Sequence, residues 1–126
     1  MMERRSGSVI ALGSTSSLTP LYTPNVACEV AAKHGLLGLI KALAMELGPY
    51  GVRANLIALA AIDNVRRHPE WYPETGGKHT KAQIGRSPLG RTGTPQEVAN
   101  VALFLASDQS SYITGDRIVC AGGIYM

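Results

Sequence analysis

The pattern of apolar positions organises the chain around one long stretch, Pro24 to Leu47. Val26, Val30, Leu37, Ile40, Ala44 and Leu47 recur at helical spacing, and Leu36, Leu39 and Leu43 widen the stripe. The spacing predicts a helix, with Thr23 as N-cap and Pro24 at the first helical position, where its missing N–H has no intrahelical partner to lose. Gly48, Pro49 and Gly51 are expected to end it, because glycine accepts a left-handed turn and proline cannot continue the hydrogen-bond ladder. Lys33 falls inside the apolar stripe, where a charge is costly unless it is paired, reaches solvent or does chemistry. Glu29 stands one turn earlier, in the order that favours an ordinary helix ion pair.

Around this helix the period changes from 3.6 to that of short buried strands. Met1 to Arg5 reads as the last turn of a helix, leading through Ser6-Gly7 into the apolar run Ser8 to Leu12. Such a run, bounded by Gly7 and Gly13, suits a parallel strand covered on both faces. Ser14-Thr15-Ser16-Ser17 follows, and two readings stay open for it. Hydroxyls at the C-terminal end of a parallel strand stand where α/β sheets place ligands, and the same residues cap their own backbone in turns. Val52 to Leu59 is a second strand. Asp63 to Ser87 is a polar loop of the length that lids and binding loops have. Thr94-Pro95-Gln96-Glu97 is a capping box with proline at the first helical position. The helix it starts has Val98, Val101, Ala102, Leu105 and Ala106 on one face. Asp108 to Thr114 is a turn region, and Arg117 to Cys120 is a third strand closed by Gly122-Gly123. Strand, helix, strand, loop, helix, strand implies right-handed crossovers and a parallel sheet of three strands.

Composition narrows the function classes. A chain of 126 residues is expected to form one domain, 1–126, with a single core. With 45% apolar and 17% charged residues it has the make-up of a folded globular chain. A net charge of +3, with Arg4-Arg5 and Arg66-Arg67 as the basic doublets, gives neither a nucleic-acid footprint nor a polybasic membrane patch. Without a long apolar span or a signal core, a cytoplasmic location is expected. Cys28 and Cys120 have no Cys-x-x-Cys spacing and are expected to be small buried side chains. His68, Glu70, Glu74 and His79 lack the two-histidine i, i+4 pattern of a helical metal site, so no metal is expected.

Several segments together resemble a known family. Pro88-Leu89-Gly90-Arg91-Thr92-Gly93-Thr94-Pro95-Gln96-Glu97-Val98-Ala99, then Leu103 to Asp108, Tyr112-Ile113-Thr114-Gly115 and Gly122-Gly123, are similar to the C-terminal half of the short-chain dehydrogenases/reductases. Ala32-Lys33-His34-Gly35 and Gly51-Val52-Arg53-Ala54-Asn55 resemble that family's catalytic helix and the strand after it. The resemblance implies a partial doubly wound, Rossmann-like α/β fold of about three parallel strands with flanking helices. It implies hydride transfer between NAD or NADP and a carbonyl or alcohol. The family uses a serine to hold the substrate oxygen, a tyrosine to move the proton, and a lysine four residues later that activates the tyrosine and binds the nicotinamide ribose. By position these are Ser14, Glu29 and Lys33, so a carboxylate stands where the tyrosine is expected. An ionised carboxylate accepts hydrogen bonds and has no proton to give. Lys33, Leu59, Ala60 and Ile62 are the implied cofactor-binding residues, with Leu59-Ala60 in place of the family's Pro-Gly. Tyr22 is a less well placed substitute hydroxyl. No glycine-rich phosphate loop occurs in these residues, which predicts a truncated chain that is inactive alone and binds neither nucleotide well. Self-association, as a homo-oligomer or with a related chain, is expected from an open strand edge and an uncovered helix.

Overall fold

The computed structural model describes residues 1–18, 26–63 and 84–124. Strand β1, Gly7–Ser14, pairs in parallel with β2, Val52–Leu59, which pairs in parallel with β3, Arg117–Cys120. The sheet order is β1-β2-β3, so β2 is central, as an α/β chain of this element order requires. Helix α1, Ala27–Leu47, and helix α2, Pro95–Ala106, are the crossovers. This is a Rossmann-like arrangement of three parallel strands with flanking helices.

Burial follows from β2 being central: Ala54, Asn55, Leu56, Ile57 and Ala58 are all buried, the continuous burial of a strand covered on both faces. Alternation sends Ala54, Leu56 and Ala58 to one face, where Ile40 and Ala44 of α1 complete the core with Val9, Ala11, Leu36 and Leu43 around them. Buried Asn55 is satisfied by the segment before β3: its Nδ2 donates to the Ile113 carbonyl at 2.8 Å and its Oδ1 accepts the Asp116 N–H at 3.1 Å. Thr114 Oγ1 accepts the Ala54 N–H, and Gly115 N–H donates to the Ala54 carbonyl, so this turn is stitched onto the central strand.

Local signals account for α2 well. The Thr94 hydroxyl accepts from the Glu97 N–H, and the Glu97 carboxylate accepts the Thr94 N–H at 2.8 Å, which closes the capping box expected from the sequence. The other end has no glycine. Its carbonyls are taken instead by Ser107, Ser110, Ser8 and Arg53, the Ser8 hydroxyl reaching Leu105 O at 2.8 Å.

Several expectations are corrected. Helix α1 begins at Ala27 with no side-chain cap at Val26, and Thr23 and Pro24 lie outside the described residues. Its left-handed stop is not Gly48, which is right-handed, but Gly51 after a 3-10 turn at Gly48–Tyr50. A Cβ on Gly51 would lie 2.6 Å from the Arg5 carbonyl oxygen, so glycine is required there. Met1 to Arg5 forms turns and not a helical end, with Arg5 left-handed at φ 49° and its guanidinium donating to the Pro49 carbonyl. Leu39, assigned to the apolar stripe, is 53% exposed, because the sheet reaches only the side of α1 that carries Ile40 and Ala44. Ala106 is exposed as well. Cys28 is exposed and Cys120 half-buried, so neither is the buried side chain expected, and both thiols are free. Residues 64–83, most of the polar loop, lie outside the described residues, and His68, Glu70, Glu74 and His79 with them. Among the described residues, no helix is long and apolar enough to cross a membrane and no cluster of three metal-ligating side chains occurs.

Candidate active site at the carboxyl ends of the strands

Register sets the first part of the site. Gly7 is opposite Val52 and Ser14 opposite Leu59, so Ser14 and Leu59 end the two strands side by side with Ala60 next. Ser14 is still extended, at φ −138° and ψ 156°, and serves as N-cap of a 3-10 turn at Thr15–Ser17. Its Oγ accepts the Ser16 N–H at 3.1 Å and lies 3.1 Å from Ser16 Oγ in a hydroxyl–hydroxyl bond. Ser17 Oγ donates to the Ser14 carbonyl at 2.6 Å. The serine-rich turn therefore does cap its own backbone. Ser14 itself remains partly accessible; its O–H is given to Ser16 Oγ, and one acceptor lone pair on its Oγ is unspent. Beneath it, Thr15 is 1% exposed and its Oγ1 has no hydrogen-bond partner. An orphaned buried hydroxyl of this kind costs on the order of 1–3 kcal/mol.

Helix α1 supplies the second part, since the 3-10 turn packs directly against it. Lys33 is half-buried on this helix, as the apolar stripe required, whereas Glu29 in the first turn is exposed. The expected Glu29–Lys33 ion pair is not formed: among the described residues the ion pair present is Arg91–Glu97. No hydrogen bond connects Glu29 or Lys33 to Ser14. His34 turns its Nδ1 back to the Val30 carbonyl at 2.9 Å, which engages that ring nitrogen on its own helix. Tyr22, the substitute hydroxyl, lies outside the described residues.

The third part is the exit from β2. Ala61 is left-handed at φ 48°, a conformation an alanine adopts at a cost of about 1–2 kcal/mol. This kink turns Ile62 onto Gly93 in a parallel bridge, with Gly93 N–H donating to Ala61 O at 3.0 Å and Asp63 N–H to Gly93 O at 2.8 Å. Behind it lies a cleft of about 170 Å³ whose walls include Ala60, Ala61, Ile62, Arg91, Glu97 and Cys120. Ala60 and Ile62 thus share a cavity, whereas Leu59 is not among its walls. Arg91, Glu97 and Cys120 were not among the site residues read from the sequence. The first two were visible only as parts of a helix-start motif. Arg91 grips Glu97 with two bonds of 2.6 and 2.9 Å, and that grip, with the Thr94 N–H, holds the Glu97 carboxyl down at about 2. The same contact raises the Arg91 guanidinium, and burial with the nearby Glu97 charge pushes the Cys120 thiol up. A raised thiol stays protonated and unreactive at neutral pH.

A hydroxyl at a strand end and a kinked exit from the central strand thus stand at the carboxyl ends of the sheet, the place where doubly wound sheets bind ligands, with a half-buried lysine on the adjacent helix; neither Ser14 nor Lys33 is among the walls of the cleft. The family model described as enoyl-(acyl carrier protein) reductase matches residues 1–125. The chain belongs to the short-chain dehydrogenase/reductase family. It is 39% identical over 125 residues to 3-oxoacyl-[acyl-carrier-protein] reductase FabG of Thermotoga maritima, covering 98% of this chain and 48% of that protein. It is 38% identical to trans-4-hydroxycyclohexanecarboxylate dehydrogenase of Sinomonas cyclohexanicum, covering 97% of this chain and 42% of the other. Among solved structures it is similar to a Brucella melitensis 3-oxoacyl-[acyl-carrier protein] reductase with bound NAD, at a TM-score of 0.81 and 39% identity, over 100% of this chain and 44% of that one. Aldohexose dehydrogenase of Thermoplasma acidophilum, ligand-free, superposes at 0.85 with 30% identity, over 98% and 50%. The chain therefore spans about half the length of the short-chain dehydrogenase/reductase relatives it matches. These likenesses support the family and that span. They do not support the narrower expectation that the matched half is the C-terminal one.

Proposed function

We propose that this chain carries the acid–base helix and strand-end serine of an NAD(P)-dependent oxidoreductase acting on a carbonyl or alcohol, and that these 126 residues do not turn over on their own. The observation that carries the second part is Glu29: the side chain at the proton-transfer position is an exposed carboxylate without a hydrogen bond to Lys33 or Ser14. The carbonyl or alcohol class is supported by the relatives, whose names describe reductases of 3-oxoacyl groups and dehydrogenases of a hydroxy acid and an aldohexose.

NAD or NADP is the cofactor we assign, following the Brucella relative, which holds NAD. The residues present fit its nicotinamide end in part. Lys33 is half-buried with its ammonium donors unspent, and Leu59 lies opposite Ser14, with Ala60 and Ile62 following it at the β2 exit. When bound, the cofactor supplies or receives the hydride. Ser14 would hold the substrate oxygen by turning its O–H from Ser16 Oγ toward that oxygen, while the Ser16 N–H keeps the Ser14 Oγ in place. Lys33 would hold the ribose, and among the described residues none matches the family's phenol as proton carrier.

The test joins this chain to the remaining half of a homologous reductase and compares Glu29→Tyr with Glu29→Gln by nucleotide absorbance on small ketones, alcohols and 3-oxoacyl thioesters. Turnover should be about a hundredfold higher for Glu29→Tyr, the scale of a placed acid–base group. Equal rates for the two variants would overturn the reading.

A second reading, a non-catalytic protein that pairs with a copy of itself or a related chain, is favoured by a specific observation. In the described residues β1 has no neighbour on the side away from β2, and Leu39 and Met45 on α1 are 53% and 81% exposed. We take 1–126 as one domain in either case.

A further inference from the structure

At the opposite end of the sheet, below the amino ends of β1 and β2, lies a second cleft that the oxidoreductase reading does not use. Its volume is about 340 Å³, twice that of the cleft at the strand carboxyl ends and within the range of small-ligand pockets. Ser6, Ser8, Arg53, Asp108, Ser111 and Thr114 line it. Arg53 is half-buried in the central strand, where a cation is costly without an acceptor for each donor. It spends one N–H on Ser110 Oγ at 2.8 Å and one on the Ser107 carbonyl at 3.1 Å, the end of α2. A guanidinium has five N–H donors, so three remain. Asp108, at the start of a 3-10 turn on the same wall, makes no side-chain hydrogen bond and no ion pair with Arg53. Ser6 and Ser111 have hydroxyls without a bond, while Ser8 and Thr114 are already engaged by Leu105 O and the Ala54 N–H.

Two opposite charges therefore share one cavity, each with unused hydrogen-bonding capacity, and the strand and the turn that carry them hold them out of contact with each other. We propose that this cleft binds a small zwitterion of the amino-acid type, its carboxylate on the free N–H donors of Arg53 and its ammonium on Asp108, with Ser6 and Ser111 as hydroxyl partners. Planar donors on a guanidinium match a carboxylate in two parallel bonds, and a lone carboxylate on the wall disfavours a simple anion.

The test follows backbone amide shifts of the 126-residue chain by NMR while L-serine, acetate or methylammonium is added. L-serine should shift residues 6–8, 51–53 and 108–114 saturably in the millimolar range, at least tenfold more tightly than acetate or methylammonium. Arg53→Met should abolish the response. Because Arg53 also ties down the end of α2, exposed Asp108→Asn is the second variant, and it should reduce L-serine to the affinity of acetate. No saturable shift at about 100 mM L-serine overturns the proposal, as does equal affinity for acetate or an unchanged response in Asp108→Asn.

Discussion

The two helices of this molecule are held by different physics. Helix α2 carries its own instructions: a reciprocal capping box, proline at its first position, a two-bond Arg91–Glu97 clamp, and four side chains on its last carbonyls. Helix α1, nearly twice as long, has no side-chain cap at Val26, and buries fully only Ile40 and Ala44 of its 21 residues. Yet α1 carries Glu29 and Lys33, and α2 carries neither. The fully buried residues of the helix with the candidate chemistry lie in its C-terminal half, where Ile40 and Ala44 meet Ala54, Leu56 and Ala58, while Glu29 in its first turn is exposed. A helix whose local signals are weak depends on packing for its stability, and its far end responds first when that packing changes.

The largest loss is expected where α1 packs on the sheet. Ile40→Ala should cost roughly 3 kcal/mol in chemical denaturation, because a 1% exposed side chain is removed from the buried cluster between α1 and the sheet. A loss below about 1 kcal/mol would mean that α1 is held elsewhere.

At α2 the corresponding change is smaller and local. Thr94→Ala should cost about 1 kcal/mol by removing one half of the capping box, with the loss read both in denaturation and in faster amide exchange over residues 95–98. Exchange that quickens equally in α1 would show that the two helices are not independently held.

The smallest expected effect concerns pH. In the folded chain the Glu97 carboxyl is lowered from 4.5 to about 2, first by the Arg91 bond and then by the Thr94 N–H. A carboxyl lowered on folding stabilises the fold fully above its unfolded value, so this contribution should be present above about pH 4.5 and fade as pH falls toward 2. Both partners are exposed, which keeps it modest and reduces it in salt. Arg91→Gln should weaken the acid dependence of α2, followed through the amide signals of Thr94 and Glu97. An identical titration in that variant would assign the shift to the backbone bond alone.

Legibility in the sequence followed the same division. Strands β2 and β3 were readable residue for residue, and so was the start of α2, because continuous burial and a capping box are written in contiguous positions. The serine-rich turn was readable as two alternatives, and the structure shows its hydroxyls largely engaged with one another and with backbone. The start of α1 was not readable, since its expected cap depended on Thr23 and Pro24 and the helix begins at Ala27. The fate of Cys28, Leu39 and Glu29 was not readable either. Each lies at a position whose burial is decided by where the sheet ends and not by its neighbours in the chain.

By itself the sequence determined the element order, the parallel sheet and the family, and it proposed a serine, a lysine and a carboxylate for the positions of a proton-transfer site. All of these depend on residue type and on spacing within one element. Tertiary structure alone decided that Ser14 ends beside Leu59, that Glu29 and Lys33 stay unpaired, and that Arg53 and Asp108 face one cavity. The first and last of those are distances between segments far apart in the chain, set by strand register and helix placement, and no local pattern encodes such a distance.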